Sequence, residues 1–422
     1  MKVAIIGSGI SGIAAAEKLY QHCDVTIFEK NEKVGGHADT QTIFVDDKTL
    51  KVDTGFIVFN PENYPTFFTL LKKYQVAYQD SDMSFAVTNR MNGLEYNASS
   101  LDQLFCQRKN LISPKFYRMI WDIFRFYREA KELLDSDMQI NLGEYLKKKR
   151  YSQYFIDEHL IPMASALWSG DSSAIMQFPA SYLVAFMNNH RMLQAFNRPV
   201  WKTIQGGSET YLNSILESIS IKLKLNSAIS SVERHHAGVR IITNSDAYDF
   251  DKVIFASHSD QTLKMIADPT HDEKWLLGNI GYQENTMQLH TDTKVLPKNK
   301  KAWASWNMLN DERTSKACRV SYYMNLLQSL NTQTPIIVSL NMQDKVNKGK
   351  ILKEIIYHHP IYNQAAIEAQ KQKHLIQGGQ HSYYCGAYWG WGFHEDGALS
   401  GIEAAKALLK DINCYDSESF NA

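Results

Sequence analysis

Gly7, Gly9 and Gly12, set in the run Gly7-Ser8-Gly9-Ile10-Ser11-Gly12, together with Glu29, form a constellation suited to the pyrophosphate and ribose of a dinucleotide. Gly7 permits a tight turn, Gly9 lets the backbone approach a pyrophosphate, and Gly12 allows a following helix to pack closely. A helix opening there turns its unpaired N–H groups toward the phosphates, and its positive end favours the anion. Glu29 is placed to accept hydrogen bonds from a ribose, and its charge disfavours a 2′-phosphate. Near the other end, Asp396-Gly397-Ala398 stands at a predicted helix start, preceded by Tyr388, Trp389 and Trp391. His258 follows a predicted strand, and His290 with Asp292 has the spacing of two side chains on one strand face.

These residues need elements to hold them. Lys2-Val3-Ala4-Ile5-Ile6 reads as a buried strand, Ile13 to about His22 as a helix, and Val25-Thr26-Ile27-Phe28 as a second strand closed by Glu29. A glycine motif alone is also what an ordinary turn looks like; the flanking strand, helix and acidic strand end favour the dinucleotide reading. Tyr384-Cys385-Gly386-Ala387 reads as a late strand running into a turn, and the helix after it continues through Ala405. Residues 60–199 carry helical patterns at Pro65–Lys73, Leu101–Phe105, Pro114–Leu134, Leu142–Lys149 and Gln153–Ser165. Trp201 to Ser208, with Gly206-Gly207, leads into a helix at Thr210–Ser218. The strands expected next are 221–225, 228–234, 238–243 and 251–256, all joining the first sheet. Residues 257–372 alternate strands such as Gln283–His290 and Cys318–Asn325 with helices.

Glu29-Lys30-Asn31-Glu32-Lys33-Val34-Gly35-Gly36-His37 resembles the extended fingerprint of the FAD-containing superfamily of amine oxidases, phytoene desaturases and protoporphyrinogen oxidases. Val52-Asp53-Thr54-Gly55-Phe56 resembles its next element, Trp201 to Ser208 its mid-chain Gly-Gly motif, and Gly392 to Ala398 its closing motif. An arginine commonly follows the glycine pair in amine oxidases; here His37 does. The resemblance implies FAD, held non-covalently, with Gly7, Ser8, Gly9, Ile10, Ser11, Gly12, Glu29, Lys30, Gly36, His37, Thr54, Gly55 and Phe56 on its adenosine and phosphate side. It also implies that the Val232 backbone pairs with the adenine, and that Gly386, Asp396, Gly397 and Ala398 meet the flavin side. Cys385, inside a cofactor motif, is read as a small packed residue before a flavin thioether.

Within the superfamily, Ile161 to Ser169, Ala256 to Gln261, Ala302 to Asn307 and Tyr323 to Gln328 resemble a branch described as FAD-dependent amine oxidoreductase-like, whose members occur beside or fused to cyclopropane fatty acid synthases. That branch implies a small hydrophobic or lipid-like substrate and a cyclopropane fatty acid synthase-type functional partner. Tyr388, Trp389 and Trp391 occupy the region from which amine oxidases project an aromatic wall, and core packing is the equal alternative. Trp168, Trp303 and Trp306 are fainter candidates for that wall. Tyr388, Trp389 and His258 are the catalytic candidates. No residue is recognisable as the lysine that bridges water to flavin N5 in many amine oxidases.

Composition narrows the classes. Lys plus Arg and Asp plus Glu balance at 45 each, which argues against nucleic acid as an obligatory partner. No apolar run reaches the roughly 18 residues of a membrane span, and a strand starting at residue 2 leaves no room for a signal peptide, so a cytoplasmic location is expected. Five scattered cysteines suggest neither a disulfide framework nor a metal site. The helix Pro114–Leu134 interleaves aromatic with basic residues; covering a core is its first reading, contact with a membrane surface its second.

The expected architecture is α/β: a Rossmann-like FAD-binding domain of the amine oxidase type from 1–59, 200–256 and 373–413, an interleaved α+β substrate domain from 60–199 and 257–372, and a tail at 414–422. The expected function is FAD-dependent hydride transfer at carbon centres of a hydrophobic, fatty-acyl substrate. An oxygen-using amine oxidase and a redox-neutral flavin isomerase stand as alternatives.

Overall fold

The computed structural model describes residues 1–134, 140–170, 172–311 and 318–412; the expected tail, with Cys414, lies outside them. Its centre is a five-stranded parallel sheet in the order Ser382–Tyr384, Lys252–Phe255, Lys2–Ile6, Asp24–Phe28, Lys222–Lys224. Val3, Ala4, Ile5 and Ile6 are all buried, as a parallel sheet covered on both faces requires. Successive side chains serve different cores. Val3 and Ile5 pack with the helices Ile10–Leu19 and His394–Asp411, whereas Ala4 and Ile6 pack with Val232, Val239 and Leu276 on the opposite face. The chain's two ends therefore share one sheet and one core.

A seven-stranded sheet faces the first. Its order is Ile351–Ile361, Gly281–His290, Ile337–Leu340, Val320–Tyr323, Trp306–Asn310, Phe85–Asn89, Leu94–Asn97. All neighbours are antiparallel except Trp306–Asn310 with Phe85–Asn89. The helices Pro114–Glu129, Leu142–Lys148, Ile161–Trp168 and Ala180–Asn189 join it in the largest hydrophobic cluster.

Three expectations change. The first helix runs Ile10–Leu19, starting inside the glycine motif with Gly9 as its N-cap, so its free N–H groups arise at Ile10 and Ser11. The strands Ile229–His235 and Gly238–Thr243 do not rejoin the parallel sheet; with Ala247–Phe250 they form a separate antiparallel meander. Their one-sided burial suits a sheet that faces solvent on one side, not a doubly covered one. The seven-stranded sheet also takes two strands, Phe85–Asn89 and Leu94–Asn97, from residues 60–199, where the sequence pattern predicts helices.

Candidate functional site

One cavity of about 1640 Å³ runs between the two sheets. Gly7 to Ser11, Glu29 to His37, Thr54 to Phe56, Ala256 to His258 and Gly386 to Tyr388 all line it. It continues past Trp391, Phe393 and His394 into an arm that reaches Phe124 and Val200.

The phosphate end is built from close backbone contacts. A Cβ on Gly12 would lie 2.0 Å from Gly7 O, so Gly12 packs helix on strand and does not face the cavity. A Cβ on Gly9 would meet only Gly35 O, at 4.0 Å, and would project into the open space that a phosphate group would fill. Gly35 N–H donates to Ser8 O at 3.1 Å, folding the second glycine pair over the first. Glu29 Oε2 accepts from Ser8 N–H at 3.1 Å and Ser8 Oγ at 2.6 Å, and Oε1 from Asn31 N–H at 3.0 Å. The carboxylate is thus fixed at the strand end beside the turn.

Where the family's arginine would stand, the site gathers histidines. His37 stacks on Tyr357 at 4.9 Å between ring centroids, with His359 at 5.4 Å and His258 at 6.1 Å; His258 in turn stacks on Tyr282 at 4.6 Å. Burial, reinforced by repulsion from His358, holds His37 at about 4. Burial and the neighbouring imidazoles hold His258 and His359 at about 3. His37 Nε2 is buried without a hydrogen-bond partner. A dianionic group beside these rings would supply what they lack. The open cradle at Gly9 and this orphaned nitrogen both fit a pyrophosphate.

The closing helix reaches the site through packing. A Cβ on Gly401 would sit 2.1 Å from Ser11 O, and one on Gly397 2.7 Å from Ile10 Cγ2, so the two helices cross with almost no side chain between them. Asp396 Oδ2 accepts from Phe393 N–H at 2.8 Å as the helix cap, and burial raises its carboxyl to about 6. Asp396, Gly397 and Ala398 stand just behind the wall; Gly386 to Tyr388 and Trp391 to His394 form it. Val232 likewise lies off the cavity. It is fully buried in the meander, and its carbonyl accepts from Ala267 N–H. The lining part of that segment is Ser227 to Ile229, tied to Glu29 by Ser227 N–H donating to Glu29 O at 2.8 Å.

Tyr388 lines the cavity with its hydroxyl buried and unpartnered, whereas Trp389 packs into the core behind it. Trp168 and Trp306 line the arm; Trp303 instead packs on Tyr323 and donates to Pro297 O. His290 accepts from the backbone N–H of Asp292, away from the cavity, so the two side chains make no acid–base pair. Cys385 is buried in the core, which pushes its thiol pKa up and suits the packing reading.

Two histidines of the arm escaped sequence reasoning. His190 Nδ1 lies 3.0 Å from Phe186 O, which can only accept, so Nδ1 carries the proton and Nε2 is a bare acceptor. The Tyr96 hydroxyl donates to Glu158 O at 2.8 Å and sits 2.9 Å from His159 Nδ1. With its one proton spent, that hydroxyl accepts from Nδ1–H, leaving His159 Nε2 bare, buried and unpartnered. Burial keeps both neutral, His190 at about 4 and His159 at about 3. Around them Phe186 meets Phe393 and Trp168 at 4.8 Å each and Trp391 at 5.7 Å, giving the arm an aromatic wall. Nothing in the local sequence marks either: the Tyr96 partner of His159 comes from a distant segment, and the partner of His190, Phe186 O one helical turn earlier, is a backbone group that any residue would supply.

Residues 10–349 match the family model described as flavin containing amine oxidoreductase. The chain belongs to this flavin-containing amine oxidoreductase family. The family's cofactor is FAD, and the cradle, the fixed Glu29 and the cavity that joins them agree with it. A Mycobacterium tuberculosis protein provisionally named a flavin-containing monoamine oxidase is 24% identical over 268 residues, 60% of this chain and 56% of that one. The chain thus spans little more than half the length of that relative. A 4,4'-diapophytoene desaturase of Staphylococcus aureus is 40% identical over 74 residues, 17% of this chain and 14% of that enzyme. Among solved structures, the CLA-producing fatty acid isomerase from P. acnes superposes with a TM-score of 0.68 at 14% identity, covering 97% of this chain and 98% of that one. Cyclohexylamine oxidase from Brevibacterium oxydans gives 0.69 at 13% identity, covering 98% and 99%. At such identities the likeness is one of fold.

Among the described residues no group of three or more His, Cys, Asp or Glu could hold a metal ion, and no helix is long and apolar enough to cross a membrane.

Proposed function

We propose that the protein is an FAD-dependent oxidoreductase that moves hydride between the flavin and carbon centres of a hydrophobic, fatty-acyl substrate. One observation carries this reading: the dinucleotide cradle opens directly into a deep arm walled by aromatic rings, and each of the four lysines lining the cavity, Lys30, Lys33, Lys264 and Lys353, is solvent-exposed. An amine oxidase that activates water through a lysine would need that lysine inside.

Bound FAD supplies the hydride acceptor. The chain's part is to hold and to exclude. Gly9 and the start of the first helix receive the phosphates, Glu29 the ribose hydroxyls, and the backbone of Ser227 to Ile229 the adenine edge. Trp168, Phe186, Trp391 and Phe393 keep water from the reacting carbon. His190 and His159, neutral with Nε2 bare, are hydrogen-bond acceptors in the arm that orient a polar group of the substrate; held at about 4 and about 3, they do not take up a proton near neutral pH.

A redox-neutral isomerisation uses the same apparatus and is the second reading; the fold shared with a fatty acid isomerase favours keeping it. The branch resemblance supports a cyclopropane fatty acid synthase-type enzyme as a functional partner. The purified yellow protein, incubated without oxygen, is expected to bleach with fatty acids or phospholipids and not with amines. Bleaching by amines, with peroxide on admitting air, overturns the reading; lipid turnover without consumption of an electron acceptor selects the isomerase.

A further inference from the structure

The arm of the cavity ends at the protein surface in an unusual rim. The helix Pro114–Glu129 buries Phe116, Met119, Asp122 and Phe126 and leaves Tyr117, Trp121, Phe124 and Arg128 on its outer face, at positions i, i+4, i+7 and i+11. That stripe is apolar where a surface helix is normally polar: Trp121 is 52% and Phe124 55% exposed. It is extended by Ile112, 85% exposed just before the helix, and by Phe196, 81% exposed on the segment 195–200. Arg198 Nη2 donates to the Tyr127 hydroxyl at 3.2 Å, joining that segment to the helix. Ile120, Ile123, Phe124 and Tyr127 line the arm from one side, and Ala195, Arg198 and Val200 from the other, so the rim surrounds the arm's mouth.

Basic groups frame the stripe. Arg118 lies over the Trp121 ring at 4.4 Å, and Arg128, Lys115 and Arg198 are exposed beside it. The acids of this helix are drawn inward: Asp122 is fully buried between Arg118 and Arg125, and Glu129 is held by Arg125. Aromatic side chains edged by arginine and lysine are the chemistry of the interface of an anionic bilayer. A second copy of the chain fits less well, because an isologous contact would set the same arginines against each other and would seal the mouth.

We infer that this rim seats the protein on an anionic phospholipid bilayer, with the mouth of the arm opened toward the acyl chains. The inference rests on the lipid-substrate reading above and adds where the substrate is taken from. The test is sedimentation of the FAD-loaded protein with vesicles of phosphatidylcholine alone or mixed with phosphatidylglycerol. Wild type is expected to bind the mixed vesicles at least tenfold more tightly than the neutral ones, and less as salt rises. Trp121→Ser and Arg128→Glu, both on exposed positions outside the cavity wall, are each expected to lower that binding about tenfold or more, with unchanged flavin content and melting temperature. Equal binding to both vesicle types, no binding, or full binding by both variants overturns the inference. A dimer in light scattering that Trp121→Ser dissolves also overturns it, in favour of a second copy. Vesicle binding is read without turnover, so a protein that binds vesicles yet is reduced only by amines refutes the substrate reading alone. One that oxidises detergent-dispersed lipid but ignores vesicles refutes the docking alone.

Discussion

Gly9 separates folding from cofactor binding more cleanly than any other residue in the cradle. Its backbone has φ −65°, open to any L-residue, and a Cβ there would touch nothing closer than 4.0 Å. Gly9→Ala is therefore expected to keep stability within about 1 kcal/mol of wild type, while FAD affinity in a fluorescence titration falls about tenfold or more, a loss of about 1.4 kcal/mol. Unchanged affinity would remove the phosphate assignment. The histidines make a second prediction. His37, His258 and His359 titrate in the folded protein at about 4, 3 and 3, well below the ordinary value near 6.5 of an unfolded chain. As pH falls below about 6.5 the unfolded chain takes up protons first, so the stability these residues contribute is present above that pH and is lost toward pH 4. The cluster is faced by Lys30, by His358 with Glu284 at 3.7 Å, by Asn285, by Asp39 and Asp53 through Tyr357, and by Asp260 through Tyr282. Flavin-free protein should show a falling urea midpoint from pH 7 to pH 5, with a shallower fall in His37→Gln. Because a pyrophosphate favours the protonated rings, FAD binding near pH 6 should take up protons, read by calorimetry in buffers of different ionisation enthalpy. No proton uptake would place the phosphates elsewhere.

At the scale of elements, the crossing of the helices Ile10–Leu19 and His394–Asp411 joins the two ends of the chain. Gly401 lies at its tightest point. Gly401→Leu should cost about 1–3 kcal/mol or more by overpacking and should also weaken FAD binding, because it displaces Ser11 at the first helix's start. Leu399→Ala, on the solvent side of the same helix, should do neither. If Gly401→Leu left both melting temperature and flavin content intact, the helix crossing would not be what positions the site. Much of this scale was legible. The first strand, the glycine turn, the second strand and the closing helix each declare themselves within a dozen residues, through periodicity and a local turn requirement. The meander's strands read from sequence as part of the parallel sheet because a strand's own sequence reports how many of its faces are buried, not which neighbour it pairs with. Phe85–Asn89 and Leu94–Asn97 lay hidden in a helical stretch because their partner, Trp306–Asn310, is supplied from far along the chain.

At the scale of the molecule, one cavity drawing its walls from both termini predicts a pattern of protection. Adding FAD to flavin-free protein should slow amide exchange together at residues 7–11, 29–37, 227–229 and 386–394, while the outer face of the helix Pro114–Glu129 is unaffected. Protection confined to the first forty residues would mean that the closing segment does not face the cofactor.

Local order along the chain was enough to establish a dinucleotide fold, its glycine turn and an acid, Glu29, at the end of the second strand, since each depends on neighbours a few residues apart. The histidine cluster that stands in for an arginine, the bare Nε2 atoms of His159 and His190, the aromatic wall and its exposed rim emerged only when the two sheets closed on each other. Burial and the aromatic wall are properties of side chains brought together from distant segments, and no single stretch of sequence carries them; the His190 tautomer, set by Phe186 O one turn earlier, is the local exception.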